Sequence, residues 1–204
     1  MIFLLEYSNA LKDMPLNSKI LISLFQSVTP RTAGFNTIDL NKFKDVSLLL
    51  IMLLMFIGAS PGSCGGGVKT TTFIIFIMTI FSTAKGRDYI SIFKRTISKE
   101  VIFKSFAIIL IAMTFLLLGI VGLSLCDNTP MNRGDFLSYT FEAFSAIGTV
   151  GLSLGYTQKL SVMGKVIIIL LMFLGRVGPL TLVLALRSKK RVDLKFAEEN
   201  IMIG

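Results

Sequence analysis

SVTPRTAGFNTIDL, residues 27–40, decides the fold, because its plan recurs 117 residues later. Gly34 falls on Gly151, Gly58 on Gly175 and Thr32 on Thr149, and from residue 32 to residue 58 the two copies align without a gap. The run Leu53, Leu54, Met55, Phe56 returns as Leu170, Leu171, Met172, Phe173. Each copy reads as a short half-buried helix, a Thr-x-Gly turn and a long apolar helix. A soluble enzyme has little use for that plan. A pore built from pseudo-repeats does, because each repeat can supply one arc of backbone carbonyls to a central ion path.

Composition agrees with a membrane setting. Of 204 residues, 53% are hydrophobic and 16% charged, with a mean hydropathy of +0.76, which is more apolar than ordinary soluble domains. The apolar residues cluster. Residues 101–125 carry Lys104 near one end and no further charge until Asp127, and residues 166–186 carry only Arg176. At ~1.5 Å per residue either run crosses a ~30 Å hydrocarbon layer. The expected class is an all-α integral membrane protein of helix–pore loop–helix pseudo-repeats, with re-entrant pore helices and a broken transmembrane helix.

The net charge of +9 is placed for topology rather than for nucleic acid. Lys85, Arg87, Lys94, Arg95, Lys99 and Lys104 share one connecting segment, and Arg187, Lys189, Lys190, Arg191 and Lys195 follow the last apolar helix. Both stretches fall on one side if helices alternate, and the positive-inside rule makes that side cytoplasmic. The opposite connections mix signs. The protein is therefore expected in the cell membrane as a multi-pass chain, with the basic loop 85–104 and the C-terminal tail cytoplasmic. Lipid headgroups are the expected contact of these basic runs, and a cytosolic partner is the minority reading.

There is no histidine, which removes the commonest general base and metal ligand. Cys64 and Cys126 lie in different segments, too few for a zinc site and no disulfide framework. Residues 1–5 are too short for a signal core and read as the end of a helix that begins earlier.

Along the chain, LNSKILISLFQS (16–27) has helical apolar spacing but only about twelve residues, so it fits a re-entrant helix. Pro30 is expected to stop it, with residues 32–35 as an extended turn. Residues 46–57 form a strong apolar helix that runs into the glycine-rich stretch 58–67 and resumes over 68–84. Irregular backbone at membrane depth is tolerated where it is buried in protein or lines water, so this stretch is expected to sit inside a cavity. After the link 85–104, residues 101–125 span back, 135–148 form a second short helix, 149–152 a second extended turn, and 163–186 the last spanning helix. Residues 1–100 and 101–204 thus make two units.

A short helix entering from outside points its C-terminal end, worth about −0.5 elementary charge, toward the membrane centre, where it favours a cation. The turn that follows offers carbonyl oxygens in place of hydration water. A single such glycine is more often a mere helix terminator; two in matched context are not. PGSCGGGVKT (61–70) superficially matches a phosphate-binding loop, but Val68 separates Lys69 from the last glycine and no magnesium-binding aspartate is near. A flexible constriction under the turns is the better account. Arg176, within an apolar helix, costs ~2.5–3.5 kcal/mol to insert and should face a polar interior, from which it could reach the glycine loop. Lys69 is a second gate-adjacent charge, with snorkelling to the surface as its alternative. Glu142 is expected to cap or pair on its helix rather than bind ion.

These residues resemble the Trk/Ktr/HKT superfamily of cation transporters, and in particular the membrane subunit of bacterial Ktr potassium uptake systems. SVTPRTAGFNTIDL looks like a third pore loop and filter, MFIGASPGSCGGGVKTTTF (55–73) like the broken helix and intramembrane gate of that repeat, FEAFSAIGTVGLSLG (141–155) like a fourth pore helix and filter, and MFLGRVGPLTL (172–182) like the final helix with its buried arginine. The resemblance implies an ion filter of Thr32, Ala33, Gly34, Phe35, Thr149, Val150, Gly151 and Leu152, holding potassium through backbone carbonyls. It implies a gate of Gly62, Ser63, Cys64, Gly65, Gly66 and Gly67 with Arg176 in contact. Cys64 stands where the family commonly has threonine. It further implies sodium-dependent potassium uptake, a homodimer, and cytosolic nucleotide-binding regulatory subunits, with K+ transported, Na+ as a further ion, and no covalently bound cofactor.

The family builds one pore from four repeats, and this chain resembles the C-terminal two. A half-ring of carbonyls replaces hydration incompletely, so the chain is expected not to conduct alone, and an N-terminal half or homologous repeats are its expected partner. The competing readings are a non-conducting membrane scaffold or regulatory half-protein associating with another pore, which would not need two intact filter turns, and an intramembrane enzyme, which would need a nucleophile with a base or paired aspartates that the sequence lacks. Gly rather than Ser at 34 and 151 resembles the potassium-selective members.

Overall fold

The computed structural model describes residues 1–63, 65–86, 91–92, 95–126 and 133–178. Apolar periodicity and Pro or Gly breaks set its elements: α1 (Ile2–Glu6), α2 (Leu16–Val28), α3 (Asp45–Phe56), α4 (Thr70–Ala84), α5 (Lys99–Cys126), α6 (Arg133–Gly148) and α7 (Val162–Val177). A single 3-10 turn, Leu40–Lys42, precedes α3, capped by the Asp39 carboxylate accepting from Asn41 N at 3.0 Å. The described strands are the two-residue β1 (Ser91–Ile92) and β2 (Arg95–Thr96), paired antiparallel in the link before α5. The fold is otherwise helical.

The two copies begin their inner helices differently. Ser161 caps α7 with its own hydroxyl, which accepts from Gly164 N at 3.1 Å, the usual serine solution. Lys44 gives α3 no side-chain cap. Instead Glu6, fully buried at the end of α1, accepts from Lys44 N at 3.0 Å and from the Ser47 hydroxyl. Its other oxygen takes Asn9 Nδ2 at 2.7 Å and Ala10 N at 3.4 Å. A carboxylate at a helix N-terminus is favoured by the dipole, so Glu6 is the N-cap that α3 lacks.

The packing partners are α6 with α7, α3 and α5, α5 with α4 and α7, and α1 with α2 and α3. Two apolar cores result, and each draws on both copies. One gathers Leu48, Ile51, Met52 and Met55 of α3 with Phe141, Val150, Leu152 and Leu154 of the second copy. The other gathers Leu116, Leu123, Tyr139, Ile147 and Leu171 with Phe56 and Val68 of the first.

Among the described residues α5 is the one helix long and apolar enough to cross a membrane, with 28 residues, about 42 Å at 1.5 Å per residue. Its Leu110, Leu117, Leu118, Val121 and Leu125 are exposed while Ala112, Leu116 and Leu123 are buried, the apolar-outside pattern of a lipid-facing helix. α3 and α4 are shorter apolar helices.

Two expectations about elements change. The last helix does not run unbroken over 163–186: α7 ends at Val177, where Gly178 takes φ 87° and closes the helix with its N–H on Leu174 O. Pro179 follows, and the residue before a proline is pushed out of helical geometry. Nor are the two Thr-x-Gly turns extended, as shown below. The basic tail and most of the outer connection 126–134 lie outside the described residues.

Candidate functional site

α2 and α6 each end in a turn with the same unusual backbone. Thr32 has φ 66° and Gly34 φ 75°; their matches Thr149 and Gly151 have φ 51° and 90°, with Ala33 and Val150 between them on the negative side. Left-handed φ is ordinary for glycine, but a β-branched threonine there is an outlier that costs of order 1–3 kcal/mol. The same cost appears at the same position in both copies. A backbone whose φ changes sign at each step can present neighbouring carbonyls on one side, where a regular strand alternates them.

The hydrogen bonds of the turns run backwards into their helices. Ala33 N and Gly34 N both donate to Thr29 O, at 3.1 and 3.3 Å. Thr149 N donates to Ala146 O and Val150 N to Ser145 O, each at 3.0 Å, and Gly151 N to the Ser145 hydroxyl at 3.2 Å. The carbonyls of Thr32, Ala33, Gly34, Thr149, Val150 and Gly151 accept no hydrogen bond among the described residues. Ala33 and Gly151 are exposed and Thr32, Gly34 and Thr149 half-exposed, so these oxygens are free to take water or a cation. Phe35 differs from its neighbours. Its carbonyl accepts from the Thr29 hydroxyl at 2.5 Å, so it is turned toward α2.

The two turns touch. A Cβ at Gly34 would lie 2.3 Å from the Val150 carbonyl oxygen, whereas a Cβ at Gly151 would meet nothing nearer than Gly34 Cα at 4.0 Å. Each exit from a turn is braced by its short helix: Gln26 Nε2 donates to Asn36 Oδ1 at 2.8 Å, and Glu142 accepts from the Ser153 and Thr157 hydroxyls at 2.5 and 2.7 Å and from Leu154 N at 3.1 Å. Asn36 and Ser153 are matched positions in the repeat. Glu142 is thus a pairing group.

The glycine loop closes on itself beneath the turns. Gly58 N donates to Val68 O at 2.9 Å and Val68 N to Phe56 O at 3.1 Å, so the loop leaves and re-enters at one point. Gly58 permits this closure, since a Cβ there would lie 1.9 Å from Gly66 O. The loop tip reaches both turn threonines: Gly66 N donates to Thr149 Oγ1 at 3.0 Å, and a Cβ at Gly65 would come within 2.9 Å of Thr32 Oγ1. Lys69 Nζ donates to Gly65 O at 2.7 Å and to Ser63 O at 3.2 Å. Cys64 lies outside the described residues.

Arg176 is the residue that the resemblance places against this loop, and its neighbour Gly175 does approach the loop, with its carbonyl oxygen 2.9 Å from where a Cβ at Gly66 would lie. Arg176 itself lies in the last turn of α7, exposed, and among the described residues no hydrogen bond joins it to Gly62, Ser63, Gly65, Gly66 or Gly67. It lines, with Thr149, Gly151, Glu142 and Met172, an open trough of about 460 Å³ that runs along the second copy past its turn. Among the described residues the hydrogen bonds from a basic side chain to the loop are those of Lys69.

A model of cation transport proteins, TrkH, matches residues 1–194. The chain is 38% identical over 205 residues to Ktr system potassium uptake protein B of Bacillus subtilis, covering 100% of this chain and 45% of that protein. It is 38% identical over 186 residues to potassium/sodium uptake protein NtpJ of Enterococcus hirae, covering 89% and 41%. It spans less than half the length of these curated relatives. The crystal structure of the potassium transporter TrkH from Vibrio parahaemolyticus superposes with a TM-score of 0.71 at 21% identity, over 91% of this chain and 41% of that one.

Proposed function

The chain belongs to the TrkH family of cation transport proteins, transporters and not enzymes, and from that premise we propose that it forms part of a potassium-conducting pore and supplies two of the carbonyl arcs that line it. The observation that carries the reading is the set of six carbonyls, unpaired among the described residues, on two matched, touching turns. The turns correspond to the third and fourth filters of a four-repeat pore. α2 and α6 are the re-entrant pore helices, and α3 with α4 is the broken membrane helix whose glycine loop, Gly62 to Gly67, gates the path. The transported ion is K+, with Na+ as the coupled ion. Phe35 differs from the other turn residues in that its carbonyl already accepts one hydrogen bond, from Thr29, which leaves one lone pair for an ion.

By the same reading the complete transporter works in the cell membrane, with the 85–104 loop cytoplasmic, as a homodimer on cytosolic nucleotide-binding subunits. The Bacillus relative is protein B of a Ktr system, which supports association with further components of such a system. Two arcs replace only part of an ion's hydration shell, so two more are required to complete the ring.

The test is rubidium uptake in cells lacking their own potassium transporters. The chain is expressed with and without a Ktr-type N-terminal half, and membrane insertion of both is verified. Uptake with both halves together is expected. No uptake from the inserted pair would overturn the reading. In that pair Gly34→Ser, whose Cβ falls on the Val150 carbonyl, is expected to lower the preference for potassium over sodium.

A further inference from the structure

We propose that the exposed stripe of α2 that runs into Arg31 is the seam for the inner helix of a preceding repeat, and that the Arg31 guanidinium holds the C-terminal carbonyls of that helix. The proposal rests on the reading of the chain as two repeats of a four-repeat pore. The second copy shows what covers a short helix of this kind. Leu137, Phe141 and Ser145 run along one face of α6 into Gly148, at helical spacing. α3 packs on that face: Phe141 shares a buried core with Leu48, Ile51, Met52 and Met55, and Leu137 lies against it. The seam closes at the last turn of α3, where a Cβ at Gly148 would lie 2.6 Å from Met55 O.

The matched positions 117 residues earlier are Ile20, Leu24, Val28 and Arg31. Here nothing covers them. Ile20, Leu24 and Val28 are 52%, 62% and 58% exposed, and Arg31 is exposed too. α2 packs on α1, and its buried residues, Lys19, Ser23 and Gln26, lie on a different side. Arg31 is also deep. Its neighbour Thr32 lies against the glycine loop, which breaks the α3–α4 rod between 12 and 15 helical residues. An unpaired arginine at mid-membrane is costly, and this one makes no side-chain hydrogen bond or ion pair among the described residues. The repeat supplies the missing acceptor. In register with Gly148 on Met55 O, Arg31 meets the end of an α3-like helix, whose last carbonyls lack intrahelical partners and form the negative end of the dipole. A guanidinium brings five donors to such an end. The two seams therefore differ: a glycine lets one helix pass at backbone contact, and an arginine holds the other at side-chain length.

The test uses the two-half uptake system, each half with its own tag. Arg31→Lys is expected to recover the N-terminal half as the parent does. Arg31→Glu, which turns a carboxylate toward those carbonyls, is expected to lower recovery several-fold and rubidium uptake with it. Both variants of the chain alone should melt in detergent at the parent temperature, because Arg31 bonds to nothing within it. Val28→Cys should form a disulfide with a cysteine placed in the last turn of the inner helix of the second repeat. Full recovery with Arg31→Glu, a lowered melting temperature of the chain alone, or no disulfide in a pair that takes up rubidium overturns the proposal. So does an Arg31→Gln pair recovered in full with faster uptake, which would put the charge on the ion path. If the parent pair takes up rubidium, any of these failures falls on the seam and leaves the pore reading standing; if it takes up none, both fail.

Discussion

Thr32 and Thr149 show what a sequence conceals at a single residue. Gly34 and Gly151 are legible as turn formers, because glycine advertises its freedom. The threonines two residues earlier adopt left-handed φ as well, and nothing in a threonine's chemistry announces that. The one signal is their recurrence in register. Lys69 is legible as a charge beside the glycine loop, but the sequence leaves open whether it snorkels to the surface; its bonds to Gly65 O and Ser63 O are visible only in the structure. The residue geometry also makes the two glycines unequal. Gly34→Ala drives a Cβ to 2.3 Å from Val150 O, while Gly151→Ala meets open space. Both suffer the φ penalty of roughly 1–2 kcal/mol, but the first must also move a neighbouring backbone. Thermal unfolding of the chain in detergent should therefore show Gly34→Ala clearly below Gly151→Ala; equal melting temperatures would contradict the contact between the turns. Thr149→Val should cost about 1–3 kcal/mol by leaving Gly66 N–H without its acceptor, and Thr149→Ser should retain most of that stability in the same melt.

At the scale of elements, the helices are largely readable and their ends are not. Spacing locates α2, α3, α5 and α6 to within a few residues, because each carries a continuous apolar pattern. The stop at Gly178 escapes that reading because the apolar residues continue beyond it; hydrophobicity reports depth in the membrane and says little about backbone direction. The cap of α3 escapes it because the cap comes from Glu6, 38 residues before Lys44. Such an acceptor cannot be inferred from local motifs. Glu6→Ala strands Lys44 N–H and the Ser47 hydroxyl, an expected loss of about 2–3 kcal/mol. Glu6→Gln, which can still accept from Lys44 N, should lose less. Hydrogen exchange at the first turn of α3 reads the difference directly: faster exchange in Ala than in Gln is expected, and unaltered exchange in both would remove Glu6 from the capping role.

For the molecule as a whole, composition identifies the environment and the repeat identifies the architecture, but neither specifies how the copies interlock. The exposed apolar face of α5 yields a direct check in bilayers. With spin labels placed one at a time along the helix from Leu110 to Leu125, oxygen accessibility is expected to peak at Leu110, Leu117, Leu118, Val121 and Leu125 and to fall at Ala112, Leu116, Gly119 and Leu123. A flat profile would mean that α5 is wrapped by protein on all sides. The shared cores carry a consequence for synthesis. Leu48, Ile51 and Met55 share their core with Ile2, Leu40 and Phe43 of the first copy and with Phe141, Val150 and Leu152, which the ribosome makes much later. A nascent chain that has inserted the first copy therefore holds an unfinished interior, and no local contact can finish it. Closing such distant contacts is the slow part of folding, so the first arc of the ion path takes its final shape only after the second has been delivered.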